Sequence, residues 1–282
     1  MSRILLRVAY DGAAYAGWQR QENGPSIQAA LEQALAPLAG GAVTVTGAGR
    51  TDAGVHADGQ AAHVDVPQGI DPEVVMRATN SRLPADIRVR SAALVPDDFH
   101  ARFSAVSKTY RYAWLASRLG HPLLARTHWL VTPPLDLDAM AGAAAALMGT
   151  HDFAAFQSTG SPVTSTIRTM TGVDLGVRPG TDVGLQLTEH ERIVELELRG
   201  DGFLRHMVRA IAGTLLDVGY GRRAPDDVAR LLAGAARDHA GPTAPPHGLT
   251  LLHVEYRLTP EERGGQGTRD REQVRRAPTR EG

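Results

Sequence analysis

The chain has 282 residues, enough for one large domain or two smaller ones with separate cores. It contains no cysteine, which excludes disulfides, zinc–thiolate sites and a thiol nucleophile, and its formal net charge of -1 excludes a uniformly basic nucleic-acid binder while leaving a local basic face open. No apolar run is long enough to cross a bilayer, and the N-terminus turns polar too soon for a signal peptide, so a cytoplasmic protein with no membrane partner is expected.

In chain order, ILLRVAY (4–10) alternates as a strand. Ser26 then caps a helix with an apolar face of Ile27, Leu31, Ala34, Leu35 and Leu38, stopped by Gly40 and Gly41. VTVT (43–46) and QAAHVDV (60–66) read as strands on either side of a loop, 47–59. Asp71-Pro72-Glu73 opens a helix that runs to about Leu83, and IRVRSAALV (87–95) is a fourth strand. The order βαββαβ is the ferredoxin-like arrangement, an antiparallel sheet with both helices on one face.

After PDDFHARFSAVS the order begins again. KTYRYAWLA (108–116) alternates as a strand, and Asp136 or Asp138 starts an alanine-rich helix ending at Gly149. IRTMTGVDLGV (167–177), GLQLT (184–188) and IVELELRG (193–200) are strand candidates. FLRHMVRAIAGTLLDVG (203–219) is the most strongly amphipathic helix, followed by a short helix from Pro225 to about Ala233 and a strand at 248–258. The expected fold class is therefore α+β: two related ferredoxin-like halves, 1–106 and 107–260, with largely antiparallel sheets side by side, each covering the other's open edge. From Glu261 to Gly282 almost no apolar residue occurs, and a disordered tail is expected.

The chemistry concentrates in GAGRTDAGVHADGQAAHV (47–64), dense in glycine and charge between two strands. A carboxylate on such a loop serves as nucleophile, general base or metal ligand, or simply caps a turn. Asp52, His56, Asp58 and His63 are metal-type donors in a short span, and His151-Asp152 is a second such pair, but no HxxxH or HxH spacing supports a preformed metal site. Arg50 either pairs weakly with Asp52 at the surface or, in a nucleic-acid enzyme, enters the space a flipped base has left or holds its phosphate. Positive charge is almost all arginine, Lys108 being the only lysine. It is densest in Arg77, Arg82, Arg88, Arg90, Arg102, Lys108, Arg111, Arg118 and Arg126. Guanidinium forks suit phosphates, and they also serve as ordinary solvated surface charge.

Six segments together resemble one family. GRTDAGVHA is similar to the signature loop of the tRNA pseudouridine synthases of the TruA type. So are YDGAAYAGWQRQ (10–21), KTYRY (108–112), HDFAAF (151–156), GDGFLRHMVRAIAGTLLDVG (200–219) and APPHGLTLLHVEY (244–256), in the family's order over about residues 3–258. The resemblance implies an RNA uridine isomerase acting on the tRNA anticodon arm at positions 38–40. It implies no cofactor and no metal, a homodimeric enzyme, and a cleft between the two halves. It makes Asp52 the essential carboxylate. Tyr110 matches the aromatic ring that stacks on the target uracil, although its alternation with Tyr112 and Trp114 also fits a core strand. Arg209 matches a basic residue paired with the aspartate, where a cation would keep the acid ionised, and Leu249 an apolar wall of the pocket. The arginine-rich stretch is a candidate for holding the RNA arm. Two features depart from a compact family member, the long hairpin at 177–192 and the charged tail. A metal-dependent phosphohydrolase and a noncatalytic RNA-binding module are the alternatives.

Overall fold

In the computed structural model, which describes residues 1–22, 24–158, 163–234 and 239–257, ten strands form one continuous sheet. The first 95 residues give β1 (Ser2–Tyr10), α1 (Ile27–Ala39), β2 (Thr46–Gly47), β3 (His56–Val66), α2 (Pro72–Asn80) and β4 (Ile87–Val95), the βαββαβ order expected. The remainder gives β5 (Ala105–Ala116), β6 (Trp129–Val131), α3 (Leu137–Ala145), β7 (Gly149–Asp152), β8 (Ile167–Arg178), β9 (Arg192–Gly200), α4 (Met207–Gly219), α5 (Asp227–Leu232) and β10 (Leu249–Tyr256).

Local chemistry sets most of these boundaries. Ser26 accepts a hydrogen bond from the Ala29 amide, and Gly40 ends α1 in the left-handed region at φ 75°. Asp71 caps α2 through the Glu73 amide with Pro72 in the first turn. Of the two aspartates that could open α3, Asp136 does so, accepting from the Ala139 amide. Ile4, Leu6, Val8 and Tyr10 alternate into the core, each at most 4% exposed.

The structure departs from the sequence reading in specific places. The strand expected at 43–46 shrinks to Thr46–Gly47, while β3 begins at His56, inside the segment taken as loop. GLQLT (184–188) forms no strand. A short 3-10 turn at Gly180–Val183 precedes it, and β8 and β9 pair without it. α4 starts four residues later than its apolar pattern, because His206 holds a left-handed backbone at φ 62° just before Met207. β6 and β7 are too short to show a period. The expected tail, 261–282, lies outside the described residues.

Strand order is β4-β1-β3-β10-β5-β9-β8-β7, with β2 on β3 and β6 on β5. Most pairs are antiparallel. The decisive strand is β10: it comes last in the chain yet lies in the middle, antiparallel to β5 and parallel to β3 through Thr250↔His56 and Leu251↔Ala57. The two sheets thus protect each other's edges by fusing, and the loop before β3 lands beside β5 and β10.

Two of the buried histidines, His63 and His128, are held neutral. The pKa of His63 is pushed down to about 4, chiefly by burial and then by Arg3 and His100. That of His128 is also lowered to about 4 by burial, opposed in part by Glu195. In the unfolded chain both protonate near 6.5, so between pH 4 and 6.5 the unfolded state binds more protons and stability falls as pH falls. Each histidine is expected to remove about 2 kcal/mol between pH 7 and pH 5. Urea unfolding at the two pH values measures the sum, and His63→Asn is expected to flatten the dependence by its share.

Candidate active site

The loop from Ala48 to Val55 is short, polar and tied down at nearly every residue. The Ala48 amide donates to the Ala61 carbonyl at 2.7 Å, and Lys108 Nζ reaches from β5 to the Ala48 carbonyl at 2.8 Å. Gln60 Nε2 donates to the Gly49 carbonyl at 3.0 Å, and the Thr51 hydroxyl shares a 2.9 Å bond with the buried Tyr10 hydroxyl. The Trp18 amide donates to the Thr51 carbonyl at 3.1 Å, and the Gly54 amide to the Tyr15 carbonyl at 3.3 Å. YDGAAYAGWQ therefore wraps the loop, which explains its sequence. Gly17 has φ 109°, and a Cβ there would meet the Thr51 carbonyl oxygen at 2.5 Å. Gly54, at φ 77°, turns the chain toward β3.

This bracing presents Asp52 with its side chain 30% exposed. Its Oδ2 lies 3.3 Å from Arg209 Nη1 and 3.4 Å from His206 Nε2. Both partners come from the N-terminal end of α4, more than 150 residues away in the chain. Arg209 is itself 13% exposed and is fixed by a 2.7 Å bond from its Nε to the Ala244 carbonyl. One guanidinium therefore ties α4, the segment before β10 and the loop carboxylate together.

Tyr110 on β5 is 8% exposed and packs edge-on against Phe203, with ring centroids 4.9 Å apart. Burial, then the neighbouring Tyr10 and the Asp52 carboxylate, push its pKa far above the ordinary tyrosine value, so the hydroxyl keeps its proton. Tyr112 and Trp114 are fully buried, and the Tyr112 hydroxyl is spent on the Pro245 carbonyl. The aromatic alternation thus divides: Tyr110 faces the site and the other two are core. Leu249 opens β10, buried, opposite Tyr112, with Leu251 opposite Tyr110.

The structure brings Asp52, Arg209 and Tyr110 together from three parts of the chain. It does not pair Arg50 with Asp52: the Arg50 side chain is exposed and its Nε donates to Gln19 Oε1 at 3.2 Å. Sequence reasoning missed His206 and Phe203. The only signal for either was membership of the GDGFLRHMVRA segment, since a non-glycine residue at positive φ has no sequence mark. Such strain gathers at functional sites.

The loop histidines are committed elsewhere. His56 Nδ1 accepts the Gly12 amide at 3.1 Å while Nε2 faces the Arg126 carbonyl at 2.8 Å, and His63 Nδ1 accepts the Ala101 amide at 3.1 Å. Among the described residues no three His, Asp or Glu side chains converge as a metal set would. The arginine-rich stretch also disperses. Arg77 pairs with Glu73, Arg111 with Glu195 and Arg126 with Asp11, whereas Arg102 and Lys108 stay near the loop.

The chain matches the model of one family, described as tRNA pseudouridine synthase, over residues 7–104 and 143–257. It belongs to that family. Three relatives named tRNA pseudouridine synthase A are similar along nearly their whole length. The one from Syntrophotalea carbinolica is 46% identical over 91% of this chain and 97% of its own. The one from Myxococcus xanthus is 44% identical over 97% and 99%, and the one from Chlamydia trachomatis serovar L2b is 43% identical over 90% and 92%. In this synthase fold the fused sheet delivers the carboxylate loop and the start of α4 to one place.

Proposed function

We propose that this chain isomerises uridine to pseudouridine in tRNA, at positions 38–40 of the anticodon arm. The observation that carries the proposal is the contact between Asp52 on the braced loop and Arg209 on α4, beside the buried Tyr110. Family membership and the names of the relatives support it.

The reaction breaks the bond between uracil N1 and ribose C1′ and makes one between C5 and C1′. The C5 proton leaves, and N1 ends protonated. Nothing is oxidised or reduced and no group donor is consumed. The target nucleotide must leave its stack, at a cost of a few kcal/mol. Asp52 supplies the carboxylate that starts the reaction, held through Oδ2 beside Arg209 and His206. Arg209 offsets the charge and holds the rotamer. Tyr110 offers a ring face to the uracil and a protonated hydroxyl that relays the C5 proton, taking it up as it passes its own proton on. Leu249 lines the apolar side, and Arg50, exposed at the loop's edge, serves the RNA rather than the carboxylate. Phosphate contacts supply most of the affinity, so binding weakens steeply with salt.

The reading includes a homodimer, expected from the family resemblance, and a cytoplasmic place of work, expected from the sequence; sedimentation of the purified chain tests the first. Among the described residues no helix is long and apolar enough to cross a membrane.

Incubation of the chain with unmodified tRNA carrying 5-tritiated uridine tests the activity. Release of tritium to water, matched by pseudouridine in the digested RNA and undiminished by a chelator, is the expected result. Absence of release from folded protein would overturn the isomerase reading, and release abolished by the chelator would favour metal-dependent chemistry.

A further inference from the structure

Between β4 and β5 a short turn presents an aromatic ring to solvent on a rigid mount. The Ser104 amide donates to the His100 carbonyl at 2.8 Å and the His100 amide to Ser104 Oγ at 3.0 Å. The Arg102 amide donates to His100 Nδ1 at 3.1 Å, the Ala101 amide to the buried His63 at 3.1 Å, and the Tyr256 hydroxyl to the Ala101 carbonyl at 2.6 Å. On this mount Ala101 is fully buried and Phe103 is 76% exposed. The His100 ring lies 4.4 Å from the Phe103 ring at 33°, and the Arg102 guanidinium is 5.6 Å from its centroid. A phenylalanine kept out of the core forgoes the burial that ordinarily stabilises it, although the fold has fixed the turn that carries it with these five hydrogen bonds and a sixth from the Phe103 amide to His100 Nδ1.

The surroundings are cationic. Burial, then the charges of Arg102 and Arg168, lower the pKa of Lys108 to about 8, and its ammonium holds the Ala48 carbonyl at 2.8 Å. Among the described residues none of the three has a carboxylate partner. Arg102 lies over Phe103, Lys108 bonds Ala48, and Arg168 donates to the Ser165 and Ile167 carbonyls. Asp97 and Asp98, earlier in the same connection, act on Arg3 instead.

We propose that Phe103 is a stacking platform for an unpaired RNA base next to the target uridine, with Arg102, Lys108 and Arg168 facing the phosphate that joins the two. An aromatic face accepts any base, and guanidiniums without acidic partners attract the phosphodiester beside it. A protein partner would have to bring its own carboxylates to so cationic a rim, which favours RNA over a second copy of the chain. The proposal rests on the tRNA reading above, with Phe103 as a substrate-positioning residue.

Phe103→Leu keeps apolar bulk and removes the π face, whereas Phe103→Trp enlarges it. With the full chain and unmodified tRNA, the Leu variant is expected to raise both Kd and KM by about 10-fold, with the loss residing in KM. The Trp variant is expected to bind within about twofold of wild type. Wild-type affinity in the Leu variant would overturn the platform. So would a changed sedimentation coefficient with unchanged tRNA affinity, which would assign the ring to a protein contact. Wild type and Asp52→Asn run alongside separate the two readings: no tritium release by wild type sinks the isomerase, while the Kd of the Leu variant still reports on the platform.

Discussion

Asp52→Asn is expected to lower tritium release at saturating tRNA by at least about 10⁴-fold, with tRNA affinity held within about threefold. The amide has the shape of the carboxylate and still offers an oxygen to Arg209 Nη1, now 3.3 Å from Oδ2. The loop's anchors, at Ala48, Gly49, Thr51 and Gly54, do not involve the Asp52 side chain, so the fold and the approach of RNA are retained. What is lost is the charge and the carboxylate lone pair, which the neighbouring Arg209 guanidinium cannot replace. Single-turnover tritium release and filter binding on one protein preparation give the two numbers. Wild-type release by this variant would remove Asp52 from the mechanism, and loss of affinity matching the loss of rate would make it a binding residue.

Arg209→Met is expected to have the second largest effect, a fall in kcat of about 10²- to 10³-fold. The guanidinium does two things at once, contacting Asp52 through Nη1 and the Ala244 carbonyl through Nε. Methionine fills the volume and does neither, leaving the half-buried carboxylate without its nearest cation and the Ala244 carbonyl without that donor. The second loss is expected to cost about 1–3 kcal/mol of unfolding free energy. Arg209→Lys keeps the charge, but a single ammonium cannot span both partners, so it should recover stability or rate only in part. Urea unfolding and kcat, measured well below the melting transition, separate the two roles. A methionine variant with wild-type kcat would reduce Arg209 to a structural tether.

The fate of Tyr110, Tyr112 and Trp114 shows how far pattern reading reaches. Alternation placed all three on one face of a strand, and they are there; it could not tell that Phe203 packs on Tyr110 alone while the next two sink to zero exposure. Likewise the apolar face of α4 was legible from its spacing, but its first turn was not. His206 breaks the helix by a backbone angle rather than by residue type, and that break aims His206 at Asp52. The missed strands β6 and β7, at three and four residues, exist only because β5 and β8 offer free edges to them.

Local sequence by itself determined the helical segments, the longer strands and the caps of α1 and α2, since hydrophobic period, Ser26, Asp71 and Gly40 act over a few residues and need no distant partner. It also marked the Asp52 loop, through glycine density and the motifs shared with the family. Only tertiary structure decided that β10 would lie between β3 and β5, and with that pairing everything about the site that depends on distance. Strand pairing between segments nearly 200 residues apart is set by which edges remain open after local folding. That is why the turning away of Arg50 and the mount under Phe103 could be read only from the folded chain, while the pairing of Asp52 with Arg209 was expected from the family resemblance and from no pattern in the residues themselves.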